Sequence, residues 1–136
     1  MRIDKSLFKY IEYELFNYES TKKDIRLCRD SIINASPVAG ETKDKYTISD
    51  STGNKGINLA TNTFILNAEK TIDAIDKALK QLSDKHRELF NLRYQQFIPW
   101  NELYLEMNIS DRTYYRLRRE LITQVAINLG KVNPDY

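Results

Sequence analysis

The residues with the clearest chemical potential lie together in the segment SDRTYYRLRRE, residues 110–120. Between Arg112 and Arg119 there are four arginines and two tyrosines. A planar guanidinium can pair with guanine O6 and N7 or hold a phosphate, and a tyrosine can contact a thymine methyl or donate to a phosphate. Residues 110–119 carry a net charge of +3, although the whole chain carries only +2. The segment therefore predicts a local nucleic-acid contact.

Helical spacing divides this segment and its continuation into two stripes. One is apolar and should pack on a core: Tyr114, Leu117, Leu121 and Val125. The other follows an i, i+3, i+4, i+7 pattern and should be exposed: Arg112, Tyr115, Arg116 and Arg119. A solvated amphipathic helix is the alternative interpretation. Lysine and glutamate would serve a merely solvated face better than arginine mixed with tyrosine, so the pattern favours DNA binding.

The elements around this segment predict a helix-turn-helix. A short helix over 100–107 precedes a second helix over 111–129, with three turn residues between them. Asn108 tolerates the left-handed conformation that ends the first helix. Ile109 should plug the core between the helices, and Ser110 is a favourable N-cap for the second.

The rest of the chain also has helical periodicity, so the predicted fold class is all-α. An N-terminal helical pair is expected within 1–56, with a mobile polar linker over 35–56. A long connecting helix over 57–82 and a DNA-binding domain over 83–136 should follow. The long helix is expected to govern assembly, because it carries a nearly heptad apolar seam: Phe64, Ile65, Ile72, Ile75, Leu79 and Leu82.

The composition argues against catalysis and against a metal site. One cysteine, Cys28, and one histidine, His86, cannot supply a disulfide framework or a multi-histidine zinc site within one chain. There is no glycine-rich phosphate loop, so we expect no catalytic residue, metal or cofactor. No segment approaches the ~20 apolar residues of a membrane span, which predicts a soluble cytoplasmic protein. His86 is expected at the surface and Trp100 in the core.

The C-terminal part resembles the RinA/ArpU-type phage transcriptional regulators, which share a sigma-factor region-4-like helix-turn-helix. The resemblance covers about residues 82–130, and the N-terminal 80 residues match only in general layout. It rests on these residues: Leu82, Arg87, Glu88, Leu92, Arg93, Tyr94, Ile109, Ser110, Asp111, Arg112, Thr113, Arg116, Leu129 and Gly130. It implies a regulator of phage or prophage late genes that binds double-stranded DNA in a bacterial host.

The resemblance implies that one side of the second helix faces DNA. Eight residues are predicted to form this site: Ser110, Asp111, Arg112, Thr113, Tyr115, Arg116, Arg118 and Arg119. The N-terminal module would then supply dimerisation, contact with host RNA polymerase, or both. One departure is Tyr104, which stands where sigma-like motifs have a small residue. A tyrosine there must point outward or force the helices apart.

Two other functions fit the same pattern. A phage small terminase subunit also couples a helix-turn-helix to an oligomerising helical region, and it would form a ring. A helical protein-binding adaptor, such as an anti-repressor, would have no salt-dependent affinity for DNA. The N-terminal aromatics leave a further alternative open, since they fit a core or a protein-contact surface equally well: Phe8, Tyr10, Tyr13, Phe16 and Tyr18.

Overall fold

The computed structural model describes the backbone of residues 3–42 and 45–133, and the side chains of 3–31 and 60–133. All regular structure in these ranges is helical, which confirms the all-α prediction. No helix among the described residues is both long and apolar enough to cross a membrane. The described helices are α1 (Lys5–Phe16), α2 (Tyr18–Thr42), α3 (Lys45–Gln81), α4 (Asp84–Leu89), α5 (Trp100–Met107) and α6 (Asp111–Asn128).

The prediction of a loop or linker over 35–56 is wrong, because the described backbone of this range is helical. The α2 helix continues through Pro37, and α3 begins at Lys45 rather than at Ile57. Inside a helix a proline costs about 3 kcal/mol and a glycine about 1 kcal/mol, but these penalties are local. Once a helix is nucleated, each further residue adds a hydrogen bond. The side chains of 32–59 lie outside the described residues, so the predicted mobility stays a prediction.

The chain divides into two compact units. One unit comprises residues 20–69, which are most of α2 and the first part of α3. Within it Arg29 donates to the carboxylate of Glu69. The boundaries of this unit differ from those expected at 56 and 82, because α2 and α3 run through the segment that was predicted to separate domains.

The other unit contains α1, the end of α3 and the helices from α4 to α6. Its α1 packs on α6, and α4 packs on both α5 and α6. The inner faces of these helices are apolar, and burying them supplies the main stabilisation of the unit. The largest fully buried aliphatic side chains in this unit are Ile11, Leu15, Ile75, Leu89, Leu103, Leu117, Leu121, Ile122 and Val125.

A π-helical segment (Phe90–Gln95) continues directly from α4, and local sequence signals did not indicate it. Its wider turn is closed by the Gln96 backbone N–H, which donates to the Asn91 carbonyl at 2.9 Å. The segment presents Phe90 and Tyr94 to the N-terminal aromatics. Their closest ring pairs are Phe16 with Tyr94 at 4.7 Å and Tyr18 with Phe90 at 5.2 Å between centroids. Phe16 and Tyr18 therefore pack internally, whereas Tyr10 and Tyr13 are exposed.

The apolar seam predicted for α3 is divided between buried and exposed positions. Ile65, Ile72 and Ile75 are buried. Phe64 is half exposed, and the neighbouring Leu66 is 66% exposed. Part of the seam is thus consumed within the chain, and apolar surface remains beside it.

Candidate nucleic-acid interface

Three residues connect α5 to α6, and each has the conformation that the sequence predicted. Asn108 is left-handed, with φ 55° and ψ 50°. Ile109 packs against the core cluster between the helices, and its N–H donates to the Tyr104 carbonyl at 2.9 Å. The Ser110 hydroxyl caps α6 by accepting the Thr113 N–H at 3.1 Å. At the other end of α6, Gly130 has a φ of +74°, as expected of a residue that ends a helix.

The two stripes of α6 differ in burial as predicted. The apolar residues are each at most 2% exposed: Tyr114, Leu117, Leu121 and Val125. The residues of the polar stripe are all exposed: Arg112, Tyr115, Arg116 and Arg119. They border an open groove of about 710 Å³, whose other wall includes Phe8 of α1. One face of α6 is therefore anchored in the core while the other is accessible.

Arg118 lies between these stripes and pairs with Glu12 of α1. Its Nε and Nη2 atoms donate to the two carboxylate oxygens of Glu12, each at 2.6 Å. The Phe8 ring lies 4.8 Å from the guanidinium carbon. The hydrogen bonds to Glu12 raise the pKa of Arg118 above its ordinary value, even though burial opposes this shift. Arg118 is thus held against α1, and the structure does not bring it into the exposed stripe.

Glu12 joins three elements at one point. Besides Arg118 it accepts the hydroxyl proton of Tyr94, in the π-helical segment, at 2.7 Å. Burial alone would raise the pKa of Glu12, but the hydrogen bonds from Arg118 and Tyr94 and the charge of Arg93 hold it below the ordinary value. Burial also raises the pKa of Tyr94, and the adjacent Glu12 charge raises it further. The sequence pattern did not indicate the contacts of Glu12 with Tyr94 and Arg118, because these partners lie 82 and 106 positions away along the chain.

The exposed arginines of α6 differ in whether a carboxylate lies within ion-pair distance. In the described part of the chain, no carboxylate lies within ion-pair distance of Arg112 or Arg119. Arg116 donates from Nη1 to Glu120 Oε1 at 3.2 Å, one helical turn further along α6. Asp111 lies in the first turn of α6, where a negative charge complements the helix dipole.

The two hydroxyls at the start of α6 are used locally. Ser110 Oγ donates to Thr113 Oγ1 at 3.0 Å while it accepts the Thr113 N–H. These side chains stabilise the N-terminal end of α6. The guanidinium groups are consequently the strongest exposed donors of the predicted site.

Trp100 was expected in the core but is 45% exposed. Leu103 and Met107 fill the core from the same helix, and Trp100 packs one turn earlier on other aromatic rings. Its centroid lies 6.3 Å from that of Tyr104 and 6.3 Å from that of Tyr115. Tyr104 is therefore accommodated beside Trp100 at a partly exposed position.

His86 was expected at the surface but is only 7% exposed. It occupies the third position of α4, where its Nδ1 lies 2.7 Å from the Ser83 hydroxyl. Its Nε2 lies 2.9 Å from Glu120 Oε1 on α6. The spacing of Ser83 and His86 is that of a capping box, and this was the available signal that His86 has a structural partner.

No group of three His, Cys, Asp or Glu side chains comes together within the described residues. The expectation that the protein has no catalytic residue, metal or cofactor stays a prediction. The arrangement at α6 can nevertheless do specific chemistry without them. It presents guanidinium groups and a phenol on one helical face, and these are donors for phosphates and base edges.

The chain belongs to a family described as proteins of unknown function (DUF722), whose family model matches residues 26–126. The match includes α4, the π-helical segment, α5 and most of α6. No curated protein and no solved structure matches the chain.

Proposed function

We propose that this protein is a sequence-specific DNA-binding transcriptional regulator of a phage or prophage, with α6 entering the major groove. The observation that carries this proposal is the exposed polar stripe on a helix whose opposite face is buried. The resemblance described above adds late genes as the target and activation as the effect. Such a regulator would act in the bacterial cytoplasm, associated with the nucleoid.

The dimensions of the stripe fit this role. A helix rises 1.5 Å per residue, so the interval from Arg112 to Arg119 spans about 10 Å along α6. Base pairs are about 3.4 Å apart, and the major groove is wide enough for one helix. The stripe therefore matches the edges of roughly three successive base pairs.

The charges of the stripe also suit an anionic partner such as a nucleic acid. Arg112, Arg116 and Arg119 project from one face, and Tyr115 lies among them. A guanidinium fork suits guanine and phosphate, whereas lysine provides only a point charge. Arg118 contributes little to the field at this face, since Glu12 compensates its charge.

The direct test is selection of bound sequences from a random-sequence duplex library, followed by fluorescence anisotropy on the enriched duplex. We expect one enriched motif, and affinity that falls as salt rises, because arginines release counterions from phosphates. Arg112→Ala and Arg116→Ala should each weaken specific binding by about 1–3 kcal/mol, which is roughly 5- to 150-fold. Arg26→Ala is the matched control, because it removes the same exposed charge from α2.

Two results would overturn the proposal. One is the absence of any enriched motif together with salt-independent binding. The other is wild-type affinity in the folded Arg112 and Arg116 variants. Salt-independent behaviour would instead favour a protein-binding adaptor.

The assembly state forms a further part of the proposal. Phe64 and Leu66 leave apolar surface on α3, which suits a contact with a second copy. A dimer would place two α6 helices about 34 Å apart on one side of the duplex, giving an operator with two half-sites. If the protein is a monomer, host RNA polymerase would supply the second anchor. Light scattering with and without DNA distinguishes these states, and a large ring would favour the small terminase alternative.

A further inference from the structure

A buried histidine links α4 to the exposed stripe of α6. The Ser83 N–H and hydroxyl both lie within hydrogen-bonding distance of His86 Nδ1, at 3.3 and 2.7 Å. A backbone N–H can only donate, so Nδ1 is the accepting nitrogen and the proton lies on Nε2. Nε2–H then donates to Glu120 Oε1 at 2.9 Å. The ring orientation is thus determined from both sides.

The link continues to the exposed stripe. The same oxygen of Glu120 accepts the Nη1–H of Arg116 at 3.2 Å. Two donors, one buried and one exposed, therefore converge on a single carboxylate oxygen. In the described part of the chain neither Arg112 nor Arg119 has a comparable carboxylate anchor.

We propose that Glu120, held by His86, is a positioning residue that orients the Arg116 guanidinium for recognition of one base pair. This inference rests on the proposed DNA-binding function. An arginine side chain has many rotamers, and recognition of guanine requires its planar fork to present two N–H groups together. A carboxylate that holds one N–H leaves the remaining donors free and restricts their direction. Arg116 should therefore contribute more base selectivity than Arg112 or Arg119, which have greater freedom to follow phosphates.

Because Glu120 is negatively charged, an effect on the orientation of Arg116 can be distinguished from an effect on overall DNA affinity. A carboxylate beside the stripe repels the phosphate backbone, so its removal should strengthen binding to unrelated duplexes. If Glu120 also orients Arg116, its removal should at the same time weaken base selectivity. A residue with only a structural role would not move these two quantities in opposite directions.

The experiment uses the full chain and the duplex enriched from the random library, together with duplexes in which each base pair is changed singly. Glu120→Ala is expected to reduce the preference at one base-pair position by roughly tenfold. It should also increase affinity for an unrelated duplex. Glu120→Gln removes the same charge but keeps an accepting oxygen, so it should retain most of the preference. Glu88→Ala removes an exposed carboxylate of α4 and is the matched control.

The histidine is tested by the same measurement. His86→Gln should weaken the preference at the same base pair as Glu120→Ala, since a glutamine cannot accept from Ser83 and donate to Glu120 with the geometry of the imidazole ring. If this variant fails to fold, the Glu120 variants decide, because that side chain is 44% exposed and its removal leaves the core intact. A double-mutant cycle completes the test: in an Arg116→Ala background, Glu120→Ala should have no further effect on base preference.

Different outcomes separate the inference from the proposed function. If Arg116→Ala abolishes a base preference that Glu120→Ala leaves intact, positioning by Glu120 is wrong while DNA recognition stands. Unchanged binding by Arg116→Ala, with losses in Arg112→Ala, would also overturn the inference. Wild-type binding by all the arginine variants would instead overturn the proposed function.

Discussion

Two neighbouring arginines of α6 have opposite environments. Arg118 donates twice to Glu12, a residue 106 positions earlier in the chain, and lies under the Phe8 ring. Arg119 is exposed, although both arginines line the same groove. The residue type is the same and the positions are consecutive. The difference comes from α1, whose Glu12 and Phe8 contact Arg118.

This contrast shows what a basic segment can and cannot indicate. The density of arginines predicts a cationic helix, but the position of a distant carboxylate decides which cation is available to a ligand. Exposed ion pairs contribute about 0–1 kcal/mol, whereas removal of one partner from a buried pair leaves a costly unpaired charge. We therefore expect the two sides of α6 to respond differently to the same substitution.

The largest effect should come from Arg118→Ala. This change leaves the Glu12 carboxylate unpaired on its guanidinium side, and that side chain is only 16% exposed. Breaking a fully buried pair costs about 3–5 kcal/mol, so we expect a loss of roughly 2 kcal/mol or more for this partly exposed one. Arg119→Ala should change stability by less than about 0.5 kcal/mol. Urea unfolding of both variants measures the difference.

The control for this prediction is the double variant. Glu12→Ala alone should also destabilise, and Arg118→Ala combined with Glu12→Ala should cost less than the sum of the single changes. Equal stability of the Arg118 and Arg119 variants would contradict the division of α6 into a packed side and an accessible side.

The parts of the fold that the sequence predicted correctly depend on local physics. The start of α6 follows from the capping hydroxyl of Ser110, and the turn before it follows from the left-handed Asn108. The buried stripe follows from helical periodicity, because Leu117 and Leu121 recur one turn apart. Each of these features needs only neighbours within a few residues.

The wrong predictions have different physical causes. His86 is buried and hydrogen-bonds through Nε2 to Glu120, which lies 34 positions later on α6, and Trp100 is exposed because other residues of α5 already fill the core. The residues over 35–56 were predicted as a linker from their composition. Composition reports only intrinsic helix propensity, which is a weak guide to structure. The described backbone of this segment is helical despite its proline and glycines.

The pH dependence of stability tests the role of Glu12, the α1 partner of Arg118. Despite the effect of burial, hydrogen bonds from Arg118 and Tyr94 leave the folded-state pKa of Glu12 below its unfolded value. Its contribution to stability is therefore present above the unfolded pKa, about 4.3, and is lost as pH falls through the lower folded-state pKa. The stability difference between wild type and Glu12→Gln should shrink over that acidic range. Unfolding free energies measured from neutral to acidic pH test this.

Glu14 on the same helix provides a control of opposite sign. Burial raises its pKa in the folded protein. Protonation of Glu14 therefore favours the folded state, and this contribution increases as pH falls through the raised folded-state pKa towards the unfolded value. Glu14→Gln should remove that increase. If Glu12→Gln and Glu14→Gln gave parallel pH profiles, the assignment of the Glu12 effect to its hydrogen bonds would be wrong.

The smallest effect concerns the turn that directs the accessible side of α6. Asn108 has a φ of 55°, where a β-carbon is strained, and the side chain is exposed. The left-handed region costs an ordinary residue about 1–2 kcal/mol, and asparagine tolerates it better. Asn108→Ala should therefore lose about 1 kcal/mol of stability, whereas Asn108→Gly should stay within about 0.5 kcal/mol of wild type because glycine adopts positive φ readily. Thermal or urea unfolding distinguishes the two variants. Under the proposed function, the folded Asn108→Gly protein should bind the enriched duplex as wild type does, since the substitution keeps the backbone that positions α6. A glycine variant as destabilised as the alanine variant would mean that the asparagine side chain, rather than the left-handed backbone, stabilises this turn.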